Sequence, residues 1–68
     1  MMMNSFEPGQ LIYPHGERDR ISLVLVIEAK PDPNCRDGAW RVTIMPLAHP
    51  TPIYNVRMHP RFWVTSPP

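Results

Sequence analysis

The side chains best suited to bind a metal ion or act as a nucleophile are His15, His49, His59 and Cys35. Their spacing matches no zinc-binding pattern, and all four fall in predicted loops or turns. His49 and His59 each precede a proline, which favours an extended or turn conformation. Cys35 has no assignable base, which a cysteine nucleophile requires. The sequence therefore predicts no metal site, no cofactor and no catalytic residue.

Two arginines, Arg41 and Arg57, lie opposite each other if the third and fourth predicted strands pair about His49. One interpretation is a site in which two guanidinium groups hold a phosphate or carboxylate. The other, which ordinary sheet chemistry favours, is an exposed row in which Glu28 neutralises both arginines.

Short β-like segments must position these residues, because ten prolines among 68 residues exclude long helices. The predicted strands cover residues 10–13, 21–29, 39–45, 53–58 and 62–65, with a long loop after the first and one tight turn before the last. This pattern predicts an all-β fold, a small five-stranded SH3-like barrel. An OB-fold needs more chain. We expect one domain over residues 1–68, with an N-terminal arm at 1–7 and a tail at 66–68.

Alternation along the strands predicts which side chains face the core. The inner face is expected to hold Trp40, Val42, Ile44, Tyr54, Val56, Met58, Leu25 and Ile27. The outer face then carries an apolar strip of Val24, Val26, Met45 and Ile53. Such a strip marks an interface more often than an accident. The alternative is that the long first loop or the N-terminal "MMMNSF" covers it.

Chain length and cysteine content favour association with a partner. A chain this short has a small core, and the single Cys35 excludes an intrachain disulfide. A protein partner or self-association is therefore expected. The lone cysteine fits a cytoplasmic, reducing compartment. No apolar run is long enough to span a membrane.

The aromatic side chains Tyr13, Trp40, Tyr54, Phe62 and Trp63 have two interpretations. Most are expected in the core, but they could also form a stacking platform for bases or a groove for a proline-rich peptide. Phe62 and Trp63 are adjacent in a strand, so one must lie outside the core. We expect Tyr54 and Trp63 to be the partly exposed contact residues.

The order "PGQLIY", an aliphatic strand, "WRVTIM", "IYNV" and "FWV" resembles small SH3-like proteins of tailed bacteriophages, especially cyanophages. The resemblance implies an SH3-like fold and a phage origin. The chain departs from that pattern at Gln10, where an acidic residue is commoner, and in the proline-rich turn "PLAHPTP". The stretch "AHPTPIY" is also similar to the Val-Gln-Ile-Tyr segment of type II dihydrofolate reductases. Pro52 stands where those enzymes have glutamine, so the activity is not carried over.

Together these features predict a non-enzymatic protein-interaction module, phage-encoded, that acts in a virion or on a host target. One alternative is a nucleic-acid-binding barrel using Arg41, Arg57 and Arg61, although the net charge of +1 argues against it. The last is an oligomeric pore enzyme. The expected partner-binding residues are Val24, Val26, Met45, Ile53, Arg41, Arg57, Tyr54 and Trp63.

Overall fold

The computed structural model describes residues 4–16 and 23–66. These residues form five strands: β1 (Leu11–Pro14), β2 (Val24–Pro31), β3 (Trp40–Pro46), β4 (Ile53–Met58) and β5 (Trp63–Thr65). They make one antiparallel sheet in the order β4-β3-β2-β1-β5, and β4 and β5 at its two ends do not pair. The all-β prediction is confirmed. Four predicted strands match the observed ones to within one residue, whereas the predicted start of the second, at residues 21 and 22, lies outside the described residues.

Local turns place both ends of β1. A turn at Gly9, whose φ is +91°, leads into the strand, and the Gly9 N–H donates to the Val26 carbonyl at 2.8 Å. At the other end, the His15 N–H donates to the Phe62 carbonyl at 2.7 Å. Phe62 closes a 3₁₀ turn, Pro60–Phe62, which begins with proline because the ring presets the required φ. The predicted one-turn break before the last strand is therefore present.

A β-bulge at Ile27 divides β2 into two halves. Val26 pairs with Ile44 and Glu28 pairs with Thr43, so Ile27 has no partner on β3. The extra residue reverses the alternation of side chains along the strand. Even-numbered residues therefore face the core before the bulge, and odd-numbered residues face it afterwards.

This reversal overturns the predicted faces of the first half of β2. Val24 and Val26, predicted on the outer face, are buried at 7% and 1% exposure. Leu25, predicted inside, is only half-buried, and Ile27 is 41% exposed. The prediction carried one alternation through the whole strand. It was right for Glu28, which is exposed, and wrong before the bulge.

A second bulge interrupts β4. The predicted pairs Trp40–Met58, Arg41–Arg57 and Val42–Val56 are confirmed, but Ile44 pairs with Ile53 instead of Tyr54.

Two residues, Tyr54 and Asn55, consequently lie opposite Thr43. Asn55 has φ +58°, a conformation that asparagine tolerates better than most residues. Tyr54, predicted on the inner face, is 74% exposed.

The core lies on the inner face of the sheet and receives one side chain from the N-terminal arm. Phe6 is 2% exposed and meets Trp40 edge-to-face, with ring centroids 6.1 Å apart. This residue of "MMMNSF" thus packs into the core and does not cover the outer face. Residues 1–3 and 17–22 lie outside the described part of the chain. The buried apolar residues are Phe6, Ile12, Val24, Val26, Ala39, Val42, Ile44 and Met58.

The assignment of faces in β2 can be tested by two alanine substitutions. Val26→Ala should lower the free energy of unfolding by about 2 kcal/mol, because it leaves a cavity in the core. Ile27→Ala removes more carbon from a partly exposed position and should cost under about 1 kcal/mol. Urea denaturation of both variants measures the difference, and the reverse order would restore the predicted outward position of Val26.

Candidate functional site

Three cationic side chains form a row across the outer face of β2, β3 and β4. Lys30 pairs with Arg41, and Arg41 pairs with Arg57. Like charges directly opposite each other in a sheet destabilise it, so this row needs counter-charges.

Asp32 supplies the counter-charge of Arg41. Its Oδ2 accepts from Arg41 Nε at 3.1 Å, and its side chain is only 9% exposed. Its Oδ1 accepts the Asn34 N–H at 3.0 Å, which fixes the start of the β2–β3 loop. Arg41 Nη1 also donates to the Asn55 carbonyl at 3.3 Å. Arg41 is therefore held at both ends of its guanidinium group.

Asp37, in the same loop, supplies the counter-charge of Arg57. Its Oδ2 accepts from Arg57 Nη2 at 3.2 Å and lies 2.9 Å from His59 Nε2. Its Oδ1 accepts from the Cys35 thiol, and Arg57 Nη2 lies 2.9 Å from Cys35 Sγ. The hydrogen bond from the thiol has the largest effect on the pKa of Asp37, and the hydrogen bond with His59 has the next largest. Together they hold this pKa well below its ordinary 3.8. The thiol and Asp37 in turn raise the pKa of Arg57.

The predicted Glu28–Arg41–Arg57 neutralisation is wrong, because each arginine has its own aspartate from the β2–β3 loop. Glu28 lies beside Lys30 along β2 and pairs with Thr43 across the sheet. The two-arginine anion site gains no support either, since both guanidinium groups are already bound to carboxylates.

An open groove lies along β2, β3 and β4, with a volume of about 290 Å³. We call it the polar groove. Five of its six lining residues are polar or charged, and the sixth is the exposed Tyr54. The lining residues are Glu28, Lys30, Arg41, Thr43, Tyr54 and Asn55. The sequence placed Glu28 and Arg41 in one exposed row but Tyr54 on the inner face, because the only sequence sign of the bulge that brings Tyr54 outward is Asn55.

The other half of the outer face is apolar. Leu11 pairs with Leu25, and Leu25 pairs with Met45, so the three side chains form a row across β1, β2 and β3. We call it the outer apolar row. Leu11 is 37% exposed, and Leu25 and Met45 are half-buried. Of the predicted strip only Met45 belongs to this row. Leu25 was predicted inside with the other odd-numbered residues of β2, and no face was predicted for Leu11.

The remaining predicted contact residues are scattered. Ile53, predicted on the outer face opposite Met45, pairs instead with the buried Ile44 and so lies on the inner face, where it is 47% exposed at the start of β4. Trp63 is half-buried and packs against the core. Phe62, not Trp63, is the exposed member of that pair, at 54%. The guanidinium carbon of Arg61 lies 4.9 Å from the centre of the Phe62 ring.

The described histidines and cysteine do not form a metal site or a nucleophile–base pair. His15 and His49 are exposed in separate turns. No group of three His, Cys, Asp or Glu residues in the described part of the chain is placed to hold a metal ion. His59 Nε2 contacts Asp37, and no hydrogen bond joins it to Cys35 among the described residues.

Asp37 should make folding stability depend on pH. Its pKa is lower in the folded state than in the unfolded chain, so its contribution is complete above about pH 3.8 and is lost as the pH falls below that value. Asp37→Asn should lower the melting temperature at pH 7 and flatten its decline in acid, as followed by circular dichroism. Glu7→Gln is the matched control and should keep the wild-type slope. An unchanged slope for Asp37→Asn would contradict the prediction.

Among residues 4–16 and 23–66 there is no helix with the length and hydropathy of a membrane span.

The resemblance to phage SH3-like proteins stays a prediction. No family model matches the chain, and no curated protein or solved structure is significantly similar to it.

Proposed function

We propose that the protein is a non-enzymatic protein-interaction module that binds its partner through the outer apolar row. The partner is another protein or a second copy of the chain. The observation that carries this proposal is the row itself, which is continuous over three strands on the face opposite the core.

The arrangement of strands supports an SH3-like barrel as the scaffold. β1 lies between β2 and β5, and β2, β3 and β4 follow one another as hairpins. The 3₁₀ turn immediately precedes β5, as expected of the one-turn break in this fold. The bulge at Ile27 bends β2 midway, which a sheet needs if it is to curve towards closure.

The exposed apolar side chains support docking. Among the described residues, six large hydrophobic side chains are more than a third exposed, against eight buried apolar residues in the core. A domain with so small a core gains stability when a partner covers apolar surface. Of the six, Leu11 belongs to the outer apolar row, where it adjoins the half-buried Leu25 and Met45 in register, so one contact would cover these three together. The exposed large hydrophobic residues are Leu11, Ile27, Leu47, Ile53, Tyr54 and Phe62.

The arrangement of Cys35 supports a non-enzymatic role. Its thiol donates to Asp37, and the His59 ring contacts the same carboxylate. A cysteine nucleophile is activated by an adjacent base or by a cation that lowers the pKa of the thiol. Here the thiol is bound to a carboxylate whose lowered pKa makes it a weak base, and the cation beside the sulfur atom, Arg57, is paired with that same carboxylate.

The phage origin rests on the sequence resemblance, and it gives two settings for the contact. A virion component would dock on structural proteins, and a host-targeting accessory protein would dock on a protein of the infected cell. Either setting uses the same surface.

The double variant Leu11→Asp, Met45→Asp should disrupt the contact. Each aspartate would have to be buried without a partner, so association should weaken at least about 100-fold. Native mass spectrometry over a range of concentrations measures self-association, and cross-linking in the producing cell captures other partners. Heteronuclear NMR spectra of the variant check that the fold is intact.

Phe62→Asp is the matched control, since Phe62 is exposed on the 3₁₀ turn and outside the row. It should associate like the wild type. A wild type that stays monomeric, together with captured proteins that do not differ between the double variant and the control, would overturn the proposal.

A further inference from the structure

We infer that the polar groove binds a polyhydroxylated, sugar-like ligand. This function goes beyond the proposed protein contact. It uses the half of the outer face beyond the Ile27 bulge, and none of the residues of the outer apolar row line the groove.

The groove is built by register. Glu28 pairs with Thr43 and Lys30 with Arg41, so these four side chains share the outer face of β2 and β3. The bulge in β4 adds Tyr54 and Asn55 beside Thr43. Three strands therefore contribute two residues each to one open site, and most of these side chains rise from regular sheet.

The charges in the groove balance. Lys30 and Arg41 carry positive charges, Glu28 carries a negative one, and Asp32 binds Arg41 at 3.1 Å. The sum over these four side chains is zero. A neutral ligand fits such a site better than a phosphate or a nucleic acid, which Glu28 would repel.

The hydrogen-bonding groups in the groove include both donors and acceptors, and of its five polar side chains only Arg41 is bound to protein among the described residues. A hydroxyl group donates one hydrogen bond and accepts others, so a ligand with several hydroxyls needs both kinds of partner. Glu28 accepts, Lys30 donates, and Thr43 and the Asn55 amide do both. In the described part of the chain, none of these four side chains is hydrogen-bonded to protein.

Tyr54 supplies an apolar platform. The residue is 74% exposed, and it is the one aromatic residue in a groove that has no aliphatic lining residue. The face of a pyranose ring carries C–H groups, which pack on an aromatic face, while its edge carries hydroxyls. An apolar peptide would leave the side chains of Glu28, Lys30, Thr43 and Asn55 without hydrogen-bonding partners. A sugar matches both parts of the site.

The experiment is a titration of the ¹⁵N-labelled full chain, followed by heteronuclear NMR. The probes are the methyl glycosides of glucose, galactose, mannose and N-acetylglucosamine, each added to about 50 mM, which detects dissociation constants in the millimolar range. At least one should give saturable shifts centred on the amides of Glu28, Thr43, Tyr54 and Asn55. Inorganic phosphate and a short single-stranded DNA are the competing probes.

Variants separate the ring from its hydroxyl. Tyr54→Ala should weaken binding about tenfold, since it removes the aromatic face, while Tyr54→Phe should bind nearly as well as the wild type. Leu47→Ala, at an exposed apolar residue outside the groove, is the matched control and should change nothing. The spectrum of each variant reports whether it is folded.

Three results would overturn the inference: no saturable shift with any of the four glycosides, equal affinity in Tyr54→Ala, or groove shifts produced by phosphate or DNA alone. The double variant Leu11→Asp, Met45→Asp should keep the sugar response. Failure of the protein contact and failure of the sugar site are therefore separate outcomes.

Discussion

The fold depends on how two bulges reset the alternation of side chains along β2 and β4. A strand with strict alternation commits every second residue to one face. In β2 that rule would place Val26 and Lys30 on the same face, because both are even-numbered. Either the valine would be exposed or the lysine would be buried. The bulge at Ile27 resolves this conflict: valines enter the core from one half, and charged residues reach the outer face from the other. The core and the polar groove share this one irregularity.

The limits of sequence analysis follow from the same feature. Proline and glycine marked the ends of the strands and indicated the all-β class, and pairing the third and fourth strands about His49 predicted the observed pairs Trp40–Met58 and Val42–Val56. Neither bulge has a clear signal in the sequence. Ile27 lies in an unbroken aliphatic run, and Asn55 is only a permissive residue for positive φ. The predicted faces are therefore wrong on one side of each bulge, for Val24 and Val26 in β2 and for Ile53 and Tyr54 in β4. The ion-pair partners of the two arginines could not be predicted either, because both aspartates lie in the β2–β3 loop, whose path the alternation of the strands does not determine.

That loop explains how three cations coexist in one row. Asp32 and Asp37 reach from the β2–β3 connection to Arg41 and Arg57, while Lys30 faces the groove without an ion pair among the described residues. The aspartates fix their arginines in the sheet. Glu28 and Lys30 stay available, and recognition on this face falls to them and to Tyr54. On the outer face, Arg41 and Arg57 are thus held by ion pairs within the protein, whereas Glu28 and Lys30 have no such ion pair among the described residues.

The pairing of β1 with β5 has a consequence for the order of folding. Ile12 is fully buried, and it pairs with Val24 on one side and Thr65 on the other. The second partner comes from the opposite end of the described chain, so the loop that must close spans nearly the whole domain. The β2–β3–β4 meander consists of local hairpins and can assemble early, but β1 stays half covered until β5 arrives. Such non-local closure slows folding, and it makes β5, the last strand along the described chain, the one that completes the sheet around Ile12.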